Sequence, residues 1–161
     1  VDALTGESRT FCQILTKSLN IAKHLQDRGI GKGSVVAVCS ENSLDFVLPI
    51  LASYFIGELC HAMNISKPCI IFSSTRALQR VDEVSKHVKE LKEIVTFGNE
   101  QHQTYTPFSS FLKDNSTTIQ MYDENPDELV AVILCSSGTT GMPKGVMLTQ
   151  KNILAVFTQM M

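Results

Sequence analysis

The sequence has no CxxC pair, no histidines at metal-binding spacing, no apolar run long enough to cross a membrane and no strong excess of either charge. Each absence removes a class of function. Five cysteines, Cys12, Cys39, Cys60, Cys69 and Cys135, are an odd number and mostly lie in apolar runs. They read as buried free thiols in a reducing compartment rather than as a disulfide frame or a zinc site. Cys60 stands beside His61, but neighbours along a helix point apart, so the pair makes a poor nucleophile and base. The longest apolar stretch, Phe46 to Gly57, falls short of the roughly 18 residues a membrane span needs and carries Pro49. A net charge of -2 with scattered lysines argues against a nucleic-acid surface or a polybasic membrane patch. What remains is a chain of 161 residues, 43% hydrophobic and 19% charged, with the make-up of an ordinary globular protein, the length of about one domain, and small molecules as its expected partners.

Thr10 to Arg28 carries apolar residues at Phe11, Ile14, Leu15, Leu19, Ala22 and Leu25, the spacing of an amphipathic helix that Gly29 stops. Val35 to Cys39 is a β-branched run of buried-strand type. Asn42 can cap a second helix from Ser43 to Ile56, with Asp45 in its first turn and Pro49 either kinking it or marking its true start. Glu58 to Ile65 reads as a short helix, Cys69 to Phe72 as a strand, Arg76 to Leu91 as a helix with Leu78, Val81, Val84, Val88 and Leu91 inward, and Ile94 to Phe97 as a strand. Glu83, Lys86 and Glu90 form a solvated helix face. Strand and helix alternate, the pattern of an α/β sheet with parallel neighbours. Gly98 to Glu128 breaks that rhythm and reads as a long surface connection in which Phe108, Phe111 and Leu112 form a turn docked on the core.

The chemistry is concentrated after Leu129. Leu129 to Cys135 is a short buried strand, and Ser136, Ser137, Gly138, Thr139, Thr140, Gly141, Met142, Pro143, Lys144 and Gly145 follow at once. Glycines let backbone amides converge on a ligand, hydroxyls donate hydrogen bonds and lysine adds a point charge, which together make a phosphate cradle. The mononucleotide loop GxxxxGK[ST] does not fit, because Pro143 precedes Lys144 and Gly145 follows it, so no helix opens on the lysine. Val146, Met147 and Leu148 come next, so the loop is expected to join two strands.

SSGTTGMPKGV resembles the signature loop of the adenylate-forming, or AMP-binding, superfamily, which includes acyl-CoA synthetases, 4-coumarate–CoA ligases and beetle luciferases. VVAVCSEN with LDF, ELCHAMNISKP before IIF, and NPDELVAVIL ahead of the loop extend the resemblance from end to end, closest in wording to the insect luciferase-like and 4-coumarate–CoA ligase-like branch. The resemblance implies an α/β fold, part of the large N-terminal domain of such an enzyme, with a partly parallel sheet. It implies ATP phosphates held by Ser136, Ser137, Gly138, Thr139, Thr140, Gly141, Lys144 and Gly145, with Mg²⁺ bridging phosphate oxygens and coenzyme A as co-substrate. Gln150 stands where the family often has a histidine beside substrate or nucleotide; it keeps hydrogen-bonding capacity but cannot titrate.

Residues 1–161 thus read as a partial AMP-binding domain. Val1 is not a methionine and Met161 falls inside a helical pattern. Proteins of the resembled family have an apolar strand and a proline-containing loop between a glycine like Gly57 and a segment like that from Glu58, so an internal deletion is expected at 57/58. Such a loss leaves neighbouring strands unpaired or forces the sheet to close across the gap. The family's metal-binding glutamate, its catalytic lysine and its acyl pocket lie beyond the matched positions, and no catalytic residue is assigned here. The leading reading is a fragment of an ATP-dependent carboxylate–CoA ligase of peroxisome or cytoplasm, inactive alone. The alternatives are a non-catalytic truncated isoform or pseudo-enzyme, and a luciferase-type monooxygenase that shares the first half-reaction.

Overall fold

The computed structural model describes residues 1–2, 5–57, 59–61, 67–98, 104–115, 118–121, 125, 127–136 and 144–160. Helix α1 spans Phe11–Asp27 and opens on a capping box, in which the Thr10 hydroxyl accepts from the Gln13 amide and the Gln13 side chain accepts from the Thr10 amide. Gly29 ends it at φ 65°. The amides of Gly29 and Ile30 turn back to the carbonyls of Gln26 and Leu25, a left-handed closure that glycine adopts without a Cβ penalty. There follow β1 (Val35–Cys39), α2 (Val47–Phe55), β2 (Leu59–His61), β3 (Ile70–Ser73), α3 (Leu78–Ser85), β4 (Glu93–Thr96), β5 (Thr106–Pro107), a 3-10 turn (Phe108–Ser110), β6 (Val130–Ser136), β7 (Lys144–Thr149) and α4 (Gln150–Met160).

Among the described residues the strands form one sheet in the order β5-β4-β3-β1-β2-β6-β7. Every neighbouring pair is parallel except β6 and β7. The chain advances from β1 to β2 in one direction along the sheet and from β3 to β4 in the other, so crossovers of one hand place their helices on opposite faces. Accordingly, residues of α1 and α2 pack with Val36, Val38, Ile70, Phe72 and Val95. On the other face Val81 of α3 packs with Ala37 and Ile71, joined by Leu91 and Ile94.

The elements expected from the sequence are present, with informative shifts. Helix α2 begins at Val47 rather than Ser43. Ser43 instead closes a turn through both its hydroxyl and its carbonyl to the Phe46 amide, and Asp45 pairs with Arg9 at 2.7 Å. Pro49 therefore falls in the first turn, where its missing N–H leaves no helical bond unmade. Helix α3 stops at Ser85, after which the amides of His87 and Val88 bond three residues back, winding too tightly for the α-helix to continue. In α1 the buried side chains include Ser18, Asn20, Ile21, Ala22 and Leu25, while Phe11 and Leu15 are exposed; Asn20 is inside because it donates to the Leu112 carbonyl and to Asp114. Cys12 is exposed, against the expectation of buried thiols, whereas Cys69 is buried.

The largest departure falls in the helix expected over Glu58 to Ile65: residues 59–61 form a strand, and Glu58 and residues 62–65 lie outside the described residues. β2 pairs with β1 on one side, Val36 opposite Cys60, and with β6 on the other, Cys60 opposite Val132. Without it the facing backbones of β1 and β6 would stay unpaired in the middle of the sheet, and that demand outweighs weak local helical spacing.

The long connection after Gly98 docks as its aromatics suggest. Phe108 and Phe111 are buried and join Phe72 and Phe97 in a cluster with ring centroids 4.7–6.2 Å apart. Further on, the Gln26 side chain bonds the Gln120 backbone in both directions, at 2.7 and 3.2 Å. These described parts are fastened along α1 as a packed connection.

Candidate functional site

Strands β6 and β7 form an antiparallel hairpin whose last rung pairs Ser136 with Lys144, preceded by Cys135 with Gly145 and Leu134 with Val146. The glycine- and hydroxyl-rich segment therefore joins two strands, as its sequence implies. Ser137, Gly138, Thr139, Thr140 and Gly141 lie outside the described residues; Ser136, Lys144 and Gly145 form the mouth of the loop and are all exposed. Because β6 runs parallel to β2, β1, β3 and β4, its end at Ser136 lies at the carboxyl edge of the sheet, where open α/β sheets bind their ligands. The mouth offers a cation and hydroxyl and amide donors, with no carboxylate from Ser136 to Gly145. That donor set suits an anion. No cluster of three or more metal-ligating side chains exists among the described residues.

A second polar group at the same edge was not singled out from sequence. Connections leave β1 and β3 in opposite directions, which makes their carboxyl ends the switch point of the sheet. There the Ser74 amide bonds the Cys39 carbonyl and the Ser74 hydroxyl accepts from the Ala77 amide. Hydrogen bonds from its own backbone amide and from Ser74, helped by Arg76, hold the Glu41 carboxyl below its ordinary range against slight desolvation. Burial, reinforced by Glu41 and opposed by Arg80, pushes the Cys39 thiol up, which keeps it protonated and unreactive. These groups answer one another, and Arg76 reaches Glu41 at 3.8 Å. The signal in the sequence was a polar triplet directly after each apolar run, Ser40-Glu41-Asn42 and Ser73-Ser74-Thr75.

Gln150 is not at the loop. Thr149 pairs with Val130 at the opposite end of the hairpin, roughly 17–20 Å away at the rise of a strand. Gln150 opens α4, donates its amide to the Leu129 carbonyl, and lines a groove of about 450 Å³ with Val47, Ile50, Tyr54, Ile153 and Leu154. Thr149 and Asn152 cap the helix reciprocally. Cys60 and His61 occupy β2 rather than a helix. A larger cleft, about 660 Å³, opens beside Arg28, Glu93 and Tyr105 at the amino end of β4. Within it Arg28 pairs with Glu93 at 2.8 Å, Thr106 donates to Glu93 at 2.5 Å and Tyr105 to Asp82 at 3.1 Å.

The family model described as AMP-binding enzyme matches residues 1–161. The chain belongs to the AMP-binding enzyme family. It is 34% identical over 177 residues to a luciferin 4-monooxygenase of Nipponoluciola cruciata, covering 98% of this chain and 32% of that protein. It is 28% identical over 172 residues to 4-coumarate–CoA ligase CCL1 of Humulus lupulus, covering 99% of this chain and 31% of that one. Among solved structures, the luciferase-like enzyme from the nonluminescent mealworm Zophobas morio superposes with a TM-score of 0.83 at 27% identity, over 98% of this chain and 40% of that one. The chain thus spans about a third of the length of the relatives it matches. The alignment with the luciferin 4-monooxygenase is 177 positions long against 161 residues here, so at least 16 of its positions face a gap in this chain.

Proposed function

We propose that this chain is the phosphate-binding part of an adenylate-forming enzyme that joins a carboxylic acid to the α-phosphate of ATP and passes the acyl-adenylate to coenzyme A. One observation carries the reading: a loop of glycines, hydroxyls and one lysine whose two ends are clamped by the Ser136–Lys144 rung at the carboxyl edge of the sheet. In the reaction the backbone amides from Ser137 to Gly141 and the hydroxyls of Ser136, Ser137, Thr139 and Thr140 orient the β and γ phosphates. Lys144 supplies positive charge where negative charge accumulates in the in-line transition state. Mg²⁺ would arrive on the phosphate oxygens, since the loop offers donors rather than carboxylates. Gln150, distant from the loop, would serve the groove between α2 and α4 rather than the phosphates.

Carboxylate-dependent exchange of pyrophosphate into ATP tests this reading in a protein that carries the remaining two thirds of the family's length. Exchange that requires an added carboxylate, followed by release of AMP with coenzyme A, supports it. Mg–ATP binding without exchange would instead support a non-catalytic form.

A second reading, luciferase-type monooxygenation, is favoured by the higher of the two identities, 34% against 28%. It shares the first half-reaction, and light emission with luciferin and ATP in the same protein decides between them. The mealworm protein, luciferase-like and from a nonluminescent animal by its description, shows that this likeness does not by itself imply light.

A further inference from the structure

We propose that β2 is the element that positions the glycine-rich loop: a three-residue strand, recruited from a segment of helical pattern, that ties the β6–β7 hairpin and α4 to the rest of the sheet. The proposal uses the phosphate reading only for its nucleotide readout. Four observations meet in it. β2 is the strand between β1 and β6, and β6 is paired to it through Cys60 with Val132 and His61 with Ile133. The capping bonds of Thr149 and Asn152, the ion pair of Lys151 with Asp127 and the turn bonds to Asn125 all close within the hairpin unit itself.

On the helical side a groove of about 450 Å³ lies between α2 and α4, and β6 meets the core through Val132. Finally, α2 ends at Phe55, and a connection of three residues, Ile56 to Glu58 with Gly57 at φ 67°, leads into β2. Connections of two to six residues are usual between a helix and the next strand. At least 16 positions of the aligned luciferin 4-monooxygenase have no counterpart in this chain; an internal deletion at 57/58, as the family resemblance implies, would account for them and leave residues 59–61 to take the sheet position. β2 thereby holds the hairpin whose last rung carries the two ends of the loop.

Disulfide trapping in the full 161-residue chain tests the register. Val132→Cys should, on mild oxidation, form a crosslink to Cys60 identified by peptide mass. Ile133→Cys, whose register partner is His61, should form the same crosslink roughly tenfold less. Equal trapping from both positions, or trapping of Val132→Cys elsewhere, overturns the strand.

Hydrogen exchange tests the positioning role. Cys60→Pro removes a ladder donor and should speed exchange at Ile133 and Met147 roughly tenfold to a hundredfold, while Val36, Ile71 and Val95 keep their protection and Cys60→Val behaves as wild type. Uniform loss across the sheet would make β2 merely structural, and no loss would make it dispensable; either overturns the proposal. Added Mg–ATP should slow exchange at Ser136 and Lys144 in wild type and in Cys60→Pro alike, because the rungs within the hairpin hold the ends of the loop in both. If nucleotide has no effect on wild type, the phosphate reading fails while trapping and exchange still decide the role of β2.

Discussion

Replacing Lys144 by alanine separates chemistry from folding. The side chain begins β7 opposite Ser136 and is exposed, so truncation opens no cavity, and a surface change of this kind moves stability by no more than about 0.5 kcal/mol. Its effect on adenylation should be much larger. A unit charge about 4 Å from a phosphate oxygen is worth about 1 kcal/mol in water and about 4 kcal/mol at the dielectric of a protein surface. Exclusion of water around bound nucleotide shifts the interaction from the first regime toward the second. Removal of a single preorganised donor in comparable sites costs about 2–4 kcal/mol. The expected result, in a protein with the rest of the family's length, is carboxylate-dependent pyrophosphate exchange reduced roughly 30- to 1,000-fold, with an unchanged urea midpoint. Lys144→Arg, which keeps charge but not point geometry, should recover part of the loss. Undiminished exchange in Lys144→Ala would refute the role, and a loss matched by destabilisation above 1 kcal/mol would show that the lysine acts through the fold.

Phe111→Ala should destabilise the chain by about 3–5 kcal/mol in urea, because the ring is fully buried, meets Phe72 edge-on at 5.5 Å and lies under the Arg28 guanidinium at 4.3 Å; a loss under 1 kcal/mol would contradict that packing. Burial, with the hydrogen bond and charge of Asp82, raises the Tyr105 pKa, so its contribution is complete below the ordinary tyrosine value near 10 and fades as pH climbs through the folded value. Melting curves of Tyr105→Phe should accordingly fall less steeply over that alkaline window than those of wild type. Alkylation at mildly alkaline pH should label exposed Cys12 roughly tenfold faster than Cys39, whose thiol burial pushes up; peptide mass mapping over time checks the order.

How much of this was legible in the sequence depended on whether the deciding force was local. The loop and its hairpin were legible because glycine, hydroxyl and lysine content and the flanking apolar runs act within a few residues. Strand β1 was legible to the residue because Val35 to Cys39 is unbroken and β-branched. The stop of α1 at Gly29 is equally local. Residues 59–61 were misread because their state is set by two partners distant in sequence, Val36 and Val132, each needing a neighbour. Asn20 was overlooked as a core residue because its burial depends on Leu112 and Asp114, and nothing within α1 announces a strap that returns some ninety residues later. The Glu41, Ser74 and Arg76 group was missed for a related reason: each polar triplet could be seen after its apolar run, but only the β1–β3 pairing brings the two loops together.

The same division between local and distant forces bears on whether a contracted chain can keep a working phosphate loop. The geometry at the loop mouth is written into the hairpin, since the rungs Ser136 with Lys144 and Cys135 with Gly145 fix the ends of residues 137–143 whatever lies beyond. A contraction elsewhere leaves those rungs alone. What it can disturb is where the hairpin sits along the carboxyl edge, and hence the alignment of bound phosphates with a substrate held by other parts of an enzyme. Misplacement of about 1 Å is enough to lower a rate roughly a hundredfold. Nucleotide affinity and turnover should therefore respond differently to the contraction: affinity follows the hairpin and survives, whereas turnover follows the placement imposed by β2. Restoring a longer connection between Gly57 and Ile70, by grafting the corresponding stretch of a full-length relative, should change the exchange rate by much more than it changes the affinity for Mg–ATP. Equal changes in both would show that the loop itself, and not its position, was altered by the shortening.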